Sequence, residues 1–332
     1  AYGSVLSAFG VESHADTFSM DREASAAAGA VAFEYSYDWR RSLDESAIEF
    51  EAFLERATRF LQVQRQSSDP IRFDVVAHSM GGLLLRYFLQ YGGQLLPFDG
   101  DGPRLNWGGA AYIDKAIMIG TPNAGSLRMI ERLAKGMPGN PLLPAYGPVL
   151  IGTMPSAYML LPRGRHDVCA AGPVDILKPE FWLEQDWGIA ASWLDEDRAK
   201  QMPGVDSPGK RLEVAEDHLR KCLLNARVFQ EAMDRPVEWL PPRLEFHLFV
   251  GDAARTPSEF AGERGNSKLR WTGYGPGDGV VLAGSGRLEE PGGGSPIPWT
   301  SVTTSSCRHM GLMKDQVLLR QVMDLLAGQP PT

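Results

Sequence analysis

The stretch Ile71-Arg-Phe-Asp-Val-Val-Ala-His-Ser-Met-Gly-Gly82, continued by Leu83-Leu-Leu-Arg-Tyr-Phe-Leu-Gln90, constrains this chain more than any other. The apolar, β-branched run around Val75 and Val76 predicts a buried strand. The proline-free apolar run after Gly82 predicts a buried helix. A sharp turn must join them, and Ser79 sits in it. Such a strained turn lifts the serine hydroxyl off the sheet edge, and the helix N-terminus behind it adds positive partial charge. Ala77 and Gly81, two before and two after the serine, supply the small residues the turn requires. That spacing alone arises by chance; the strand before it and the helix after it give it weight. His78 adjoins Ser79, but neighbouring side chains diverge at such a turn, so its ring should point away from the hydroxyl.

The chain has 332 residues, 43% hydrophobic and 22% charged. That is a globular composition, long enough for one large α/β domain or two ordinary ones. A net charge of −8 argues against nucleic-acid binding, which needs clustered Lys and Arg. The basic pairs Arg40-Arg41 and Lys210-Arg211 read as solvated surface. Cys169, Cys222 and Cys307 are far apart, with no metal-ligand spacing, and their odd number leaves at least one thiol free, which disfavours a disulfide framework but leaves room for one bridge. No metal or other cofactor is expected. The free cysteines favour a reducing, cytoplasmic setting, unless a targeting segment lies upstream of Ala1. No apolar stretch reaches transmembrane length.

Along the chain, residues 1–30 are alanine-rich and read as helical, with a loop at residues 10–15. Residues 31–37 alternate like a strand. Residues 43–66 form an amphipathic helix with Ile48, Phe50, Phe53, Leu54, Phe60 and Leu61 spaced for burial. The Ser79 strand and helix follow, and residues 115–120 make the next strand. This β-α-β-α-β order implies a mostly parallel sheet with right-handed crossovers, flanked by helices. Residues 136–210 are rich in Pro, Gly, Trp and Met and show no strand, and residues 212–233 form a helix. The division expected is a core of residues 1–125 and 240–332, with residues 126–239 as a largely helical, irregular cap. In the core, residues 244–250 are a strand, 273–294 a glycine-rich loop, 297–303 the last strand and 313–326 the last helix.

A serine hydroxyl needs a base to take its proton. In folds built around this turn the order is serine, acid, histidine. His14 and His78 come too early, His166 and His218 lie in the cap, and His247 alternates with apolar residues inside a strand. His309 remains, in the loop before the last helix. The acid must lie between residue 250 and His309. Asp252 follows the strand, and Asp278 sits in a glycine-flanked loop; the residues alone leave both open. Glu259, Glu289 and Glu290 read as solvated charges. One oxyanion donor is the N–H of Met80. The second normally comes from a loop after an earlier strand. None is visible, so either at least one strand and its loop lie before Ala1, or residues near the start serve in its place.

Taken together these motifs resemble the lecithin:cholesterol acyltransferase family of α/β-hydrolases, with its bacterial lipase-like and acyltransferase-like members. The resemblance is carried by Tyr37-Asp-Trp-Arg40, Ala77-His-Ser-Met-Gly-Gly82, Ile119-Gly-Thr-Pro-Asn-Ala-Gly-Ser126, Met154-Pro-Ser-Ala-Tyr-Met-Leu-Leu-Pro162, Gly277-Asp-Gly-Val-Val281 and Arg308-His309. They appear in family order over residues 35–320. Val280 stands where the family has threonine. The resemblance implies Ser79 as nucleophile, Asp278 as acid and His309 as base. It implies a hydrolase or O-acyltransferase acting on lipid or small carboxylic esters, with transient contact of the cap with a lipid interface. Met154, Tyr158, Met159, Leu160, Leu161, Trp182, Trp187 and Trp193 are candidates for an acyl groove, or else simply pack the cap. Two other readings stand beside it: a catalytically silent binding protein or truncated fragment on the same fold, and a non-lipid esterase.

Overall fold

The computed structural model describes residues 14–15, 32–97, 102–139, 145–166, 168–237, 239–263 and 266–329. Its centre is a parallel sheet of four strands, β3 (Phe73–His78), β4 (Ile113–Ile119), β5 (Glu245–Gly251) and β8 (Ser301–Ser305), side by side in that order. Period-two alternation sorts their side chains. Ala116 and Met118 of β4 and Phe246, Leu248 and Val250 of β5 face one apolar core. Ile117, Ile119 and Phe249 face a second, closed by Leu318, Val322 and Leu325. With both faces covered, these strands read as nearly unbroken apolar runs. This is the α/β-hydrolase arrangement expected from the motifs.

Helix α1 (Leu43–Arg65) carries Asp44 and Glu45 in its first turn and Arg65 in its last, matching the helix dipole, and stops at Gln66 in the left-handed region. It buries Leu43, Ala47, Phe50, Phe53, Leu54, Ala57, Phe60 and Leu61. Ile48, expected in that stripe, is instead exposed. Helix α2 (Met80–Tyr91) is buried from Gly82 to Tyr91, Arg86 and Gln90 included. Its Phe88 meets Phe50 of α1 edge to face, centroids 5.1 Å apart.

Between β4 and β5 the described chain is helical: α3 (Leu127–Lys135), α4 (Pro148–Gly152), α5 (Pro155–Met159), α6 (Pro179–Gln185), α7 (Asp195–Gln201) and α8 (Pro208–Met233). Helix α8 starts where proline suits the first turn and the Ser207 hydroxyl accepts from Lys210 N–H. Trp182, Trp187, Tyr158, Met159 and Leu161 are wholly buried in the main core. They pack these helices together and are not the walls of an open groove; only Trp193 of the three tryptophans is exposed.

Several expectations shift. The strand expected over 31–37 is strand only at β2 (Ala32–Phe33), which pairs with β1 (His14–Ala15). His14 and Ala15 were expected in a loop; the rest of the helix expected over 1–30 lies outside the described residues. The glycine-rich loop over 273–294 is corrected at its start. Strand β7 (Asn266–Gly277) pairs antiparallel with β6 (Ala254–Glu263), because hairpin pairing overrides the low strand propensity of glycine. A short helix α9 (Ala283–Arg287) follows. The final helix α10 (Gln316–Leu326) is capped by Asp315, whose carboxylate accepts from Val317 and Leu318 N–H. No described helix is long and apolar enough to cross a membrane.

Met118 is fully buried between β3 and β5. Met118→Ala should cost about 2–5 kcal/mol, as buried truncations do; urea unfolding of the variant against the parent protein reads it.

Candidate active site

The turn after β3 is strained. Ser79 has φ 55° and ψ −126°, a region closed to most side chains, at a cost on the order of 1–3 kcal/mol. Two backbone bonds hold it: Ser79 N–H donates to Ile119 O of β4 at 2.9 Å, and Gly82 N–H to Ser79 O at 3.0 Å. The glycine with no room to spare is Gly82, where a Cβ would fall 2.0 Å from Thr121 Oγ1. At Gly81 a Cβ would meet only Ala77 at 3.8 Å and the Tyr37 hydroxyl at 4.0 Å. The steric demand sits one residue later than the sequence spacing suggested.

The hydroxyl of Ser79 lies 2.9 Å from Nε2 of His309, and Nδ1 of His309 lies 2.7 Å from Oδ2 of Asp278. His309 N–H also donates to Asp278 O at 3.0 Å. Asp278 is 2% exposed, and its Oδ1 accepts from Val280 N–H at 2.9 Å and Val281 N–H at 2.7 Å. Each oxygen of the buried carboxylate thus has a donor, which keeps the side chain in one orientation. Asp252 is elsewhere: its N–H donates to Ser305 O at 3.2 Å, and no bond from it to His309 is found among the described residues. Met80 N–H opens helix α2 directly after Ser79, and no carbonyl accepts from it among the described residues. Nor does any hydrogen bond there assign a second oxyanion donor.

The loop bearing Asp278 is fixed by the hairpin that sequence reading missed. Gly279 N–H donates to Thr256 Oγ1 of β6 at 2.8 Å, and the Ser126 hydroxyl before α3 donates to Val280 O. The loop bearing His309 is tied by the Ser305 hydroxyl to Asp315 at 2.6 Å. His78 does not touch Ser79. Its ring packs on that of His309, centroids 4.8 Å apart, and its Nε2 lies 3.2 Å from His309 O. Burial, and then the neighbouring His309, push its pKa down to about 4. His247 is a satisfied core histidine, between Ser301 Oγ at 2.8 Å and Glu245 at 3.0 Å.

A buried polar network behind the site also escaped sequence reading. Arg86 of α2 donates to Asn123 Oδ1 at 2.8 Å and Met233 O at 2.7 Å. Asn123 donates to Gly286 O, and Arg163 pairs with Asp234 at 2.8 Å. Burial opposes ionisation of Asp234, but Arg163 and Arg165 outweigh it and hold its carboxyl below the usual range. Glu290, expected to be solvated, binds Arg165. A lone arginine in an apolar helix was the available signal, since a charge there is kept only with partners.

With this geometry in place, comparison with known proteins is direct. Residues 26–184 match the lecithin:cholesterol acyltransferase family. The match takes in the Tyr-Asp-Trp-Arg, serine-turn, Gly-Thr-Pro-Asn and Met154–Pro162 segments, so the family resemblance holds through these. A chain in the crystal structure of a Tle4–Tli4 complex is similar in fold, with a TM-score of 0.56 at 14% identity over 89% of this chain and 68% of the other. No curated protein matches the sequence.

Two outcomes follow from the site's packing. Gly120 has φ +59°, and a Cβ there would lie 2.9 Å from Leu312 Cδ1 and 3.3 Å from His309 Nδ1. Gly120→Ala should lose about 1–2 kcal/mol from backbone conformation alone and disturb the His309–Asp278 contact; thermal unfolding and the downfield imidazole N–H proton resonance read the two effects. For His78, the folded pKa near 4 lies below the ordinary 6.5, so the unfolded chain binds the extra proton between those values. Its contribution is present above pH 6.5 and is lost as pH falls toward 4, up to about 3 kcal/mol. His166 and His218 are depressed in the same direction. His78→Phe should therefore flatten only part of the acid limb of a stability-against-pH curve, and an unchanged limb would contradict the assignment.

Proposed function

We propose that the protein is a serine hydrolase that cleaves carboxylic esters of lipid-like substrates through an acyl-enzyme. The hydrogen-bonded series Ser79–His309–Asp278, with its serine on a strained turn, carries this reading. His309 Nε2 takes the proton from the Ser79 hydroxyl as the oxygen attacks the ester carbonyl. The tetrahedral oxyanion is met by Met80 N–H at the start of α2. His309 then gives that proton to the departing alcohol, leaving the acyl group on Ser79. A water, or an alcohol in the acyltransferase variant, is deprotonated by His309 and attacks in turn, freeing Ser79. Asp278 holds the His309 tautomer and stabilises the imidazolium.

The lipid character of the substrate rests on the family similarity over residues 26–184. Residues 126–239 act as the cap, and residues 1–125 with 240–332 as the core. A silent binding protein has no use for a buried carboxylate with both oxygens satisfied behind a serine–histidine pair. The test is a fluorophosphonate probe followed by peptide mapping. Labelling should fall on Ser79, vanish in Ser79→Ala, and slow on the order of 10⁴-fold in Asp278→Asn. Equal labelling of Ser79→Ala would refute the assignment. Rates on p-nitrophenyl butyrate and palmitate separate the lipid reading from a non-lipid esterase: the longer ester should be preferred.

A further inference from the structure

The proposed acyl transfer uses Ser79, His309 and Asp278 and leaves a fourth titratable ring at the site, that of His78, without a task. Period-two alternation along β3 puts His78 on the same face as Val76, which packs against the second core, where Leu312 and Met313 lie. There its ring meets that of His309, while the next residue, Ser79, reaches Nε2 of the same His309 imidazole. Nε2 of His78 lies 3.2 Å from His309 O. A carbonyl oxygen only accepts, so the nitrogen facing it carries the hydrogen. A neutral imidazole has one N–H, and its partner fixes which nitrogen holds it. Burial, and then His309, keep His78 uncharged above about pH 4, with Asp278 pulling more weakly the other way. At neutral pH His78 is therefore the tautomer protonated on Nε2, donating to the main chain of His309.

That bond closes a grip on both sides of residue 309. The His309 N–H donates to Asp278 O at 3.0 Å, and the His309 carbonyl receives His78. No main-chain N–H donates to this carbonyl among the described residues. The carbonyl one residue earlier, Arg308 O, takes Gly311 N–H at 2.6 Å and Leu312 N–H at 3.0 Å instead. Just past His309 the loop turns to solvent, with Met310 60% exposed, so His78 is an inward anchor on that side. The two rings also lie against each other, centroids 4.8 Å apart with 41° between their planes, which hinders the His309 ring from tipping off the line from Ser79 to Asp278. A ring that only filled space would need no donor aimed at His309. We propose that His78 is a positioning residue for His309: its Nε2–H bond to the His309 carbonyl, together with the ring contact, sets where that imidazole stands between Ser79 and Asp278. Its effect on turnover rests on the proposed hydrolase reading; its effect on the placing of His309 does not.

Two variants separate the donor from the ring. His78→Phe keeps a ring and removes the donor; His78→Gln keeps an amide N–H at similar reach and removes the ring. On p-nitrophenyl butyrate, His78→Phe should lower kcat about 10- to 100-fold with KM unchanged, the size of loss that a small misplacement of a reacting group brings. His78→Gln should recover most of it. The downfield N–H proton of the His309–Asp278 bond should broaden or move in His78→Phe and return in His78→Gln. In the parent protein at neutral pH, long-range proton–nitrogen spectra should show His78 protonated on Nε2. Should His78→Phe fail to fold, that tautomer and the behaviour of His78→Gln still decide. A proton on Nδ1 of His78, a parental kcat or an unmoved His309 resonance in His78→Phe, or a His78→Gln protein that has lost both turnover and resonance would each overturn the proposal. No turnover by the parent itself, with the His309 resonance responding as described, would instead count against the hydrolase reading alone.

Discussion

Everything in the site depends on a turn that the backbone resists. Ser79 adopts φ 55° because the two elements joined by the turn are fixed independently. Its N–H is the last rung of the β3–β4 ladder, and its carbonyl starts helix α2. The helix is held by burial along almost its whole length and by Arg86, which reaches from it to Asn123 and Met233. Strain of this size persists only where the surroundings over-determine it. The consequence is a hydroxyl held off the sheet edge, within reach of an imidazole delivered by a distant part of the chain.

His309 and Asp278 arrive by different routes, and each is tied back to its own neighbours. Asp278 is presented by the end of the β6–β7 hairpin, with Thr256 and Ser126 pinning its loop. His309 is presented by the loop after β8, tied through Ser305 to the cap of the last helix. The two loops then share a backbone bond from His309 N–H to Asp278 O as well as the side-chain contact. Holding the pair twice leaves the imidazole little freedom, the preorganisation that the proposed proton transfer requires. Gly120 keeps the space between them open.

The parts legible in the sequence were those governed by local pattern. The apolar run into Ser79, the long helix with Phe50, Phe53 and Phe60, and the β5 strand all follow from periodicity. Asp278 could not be separated from Asp252 by periodicity; only the glycine-flanked motif, read through a family resemblance, did so. The β6–β7 hairpin was hidden because glycines at 273, 275 and 277 disguise a strand whose pairing is supplied by its partner. Whether the cap tryptophans line a pocket or pack the cap stayed open in the sequence, since composition does not reveal which side chains meet. The network from Arg86 through Asn123 to Gly286 joins residues up to 163 positions apart, a distance at which no local rule operates.

The central claim is a covalent one: an acyl group resides on Ser79 between two half-reactions. Its most direct test is intact-mass analysis of the protein quenched in acid during turnover of a p-nitrophenyl ester. The account predicts an increase equal to one acyl group less a hydrogen, mapped to the peptide containing Ser79 and decaying as product forms. Turnover with no adduct, or an adduct on any other residue, would contradict it.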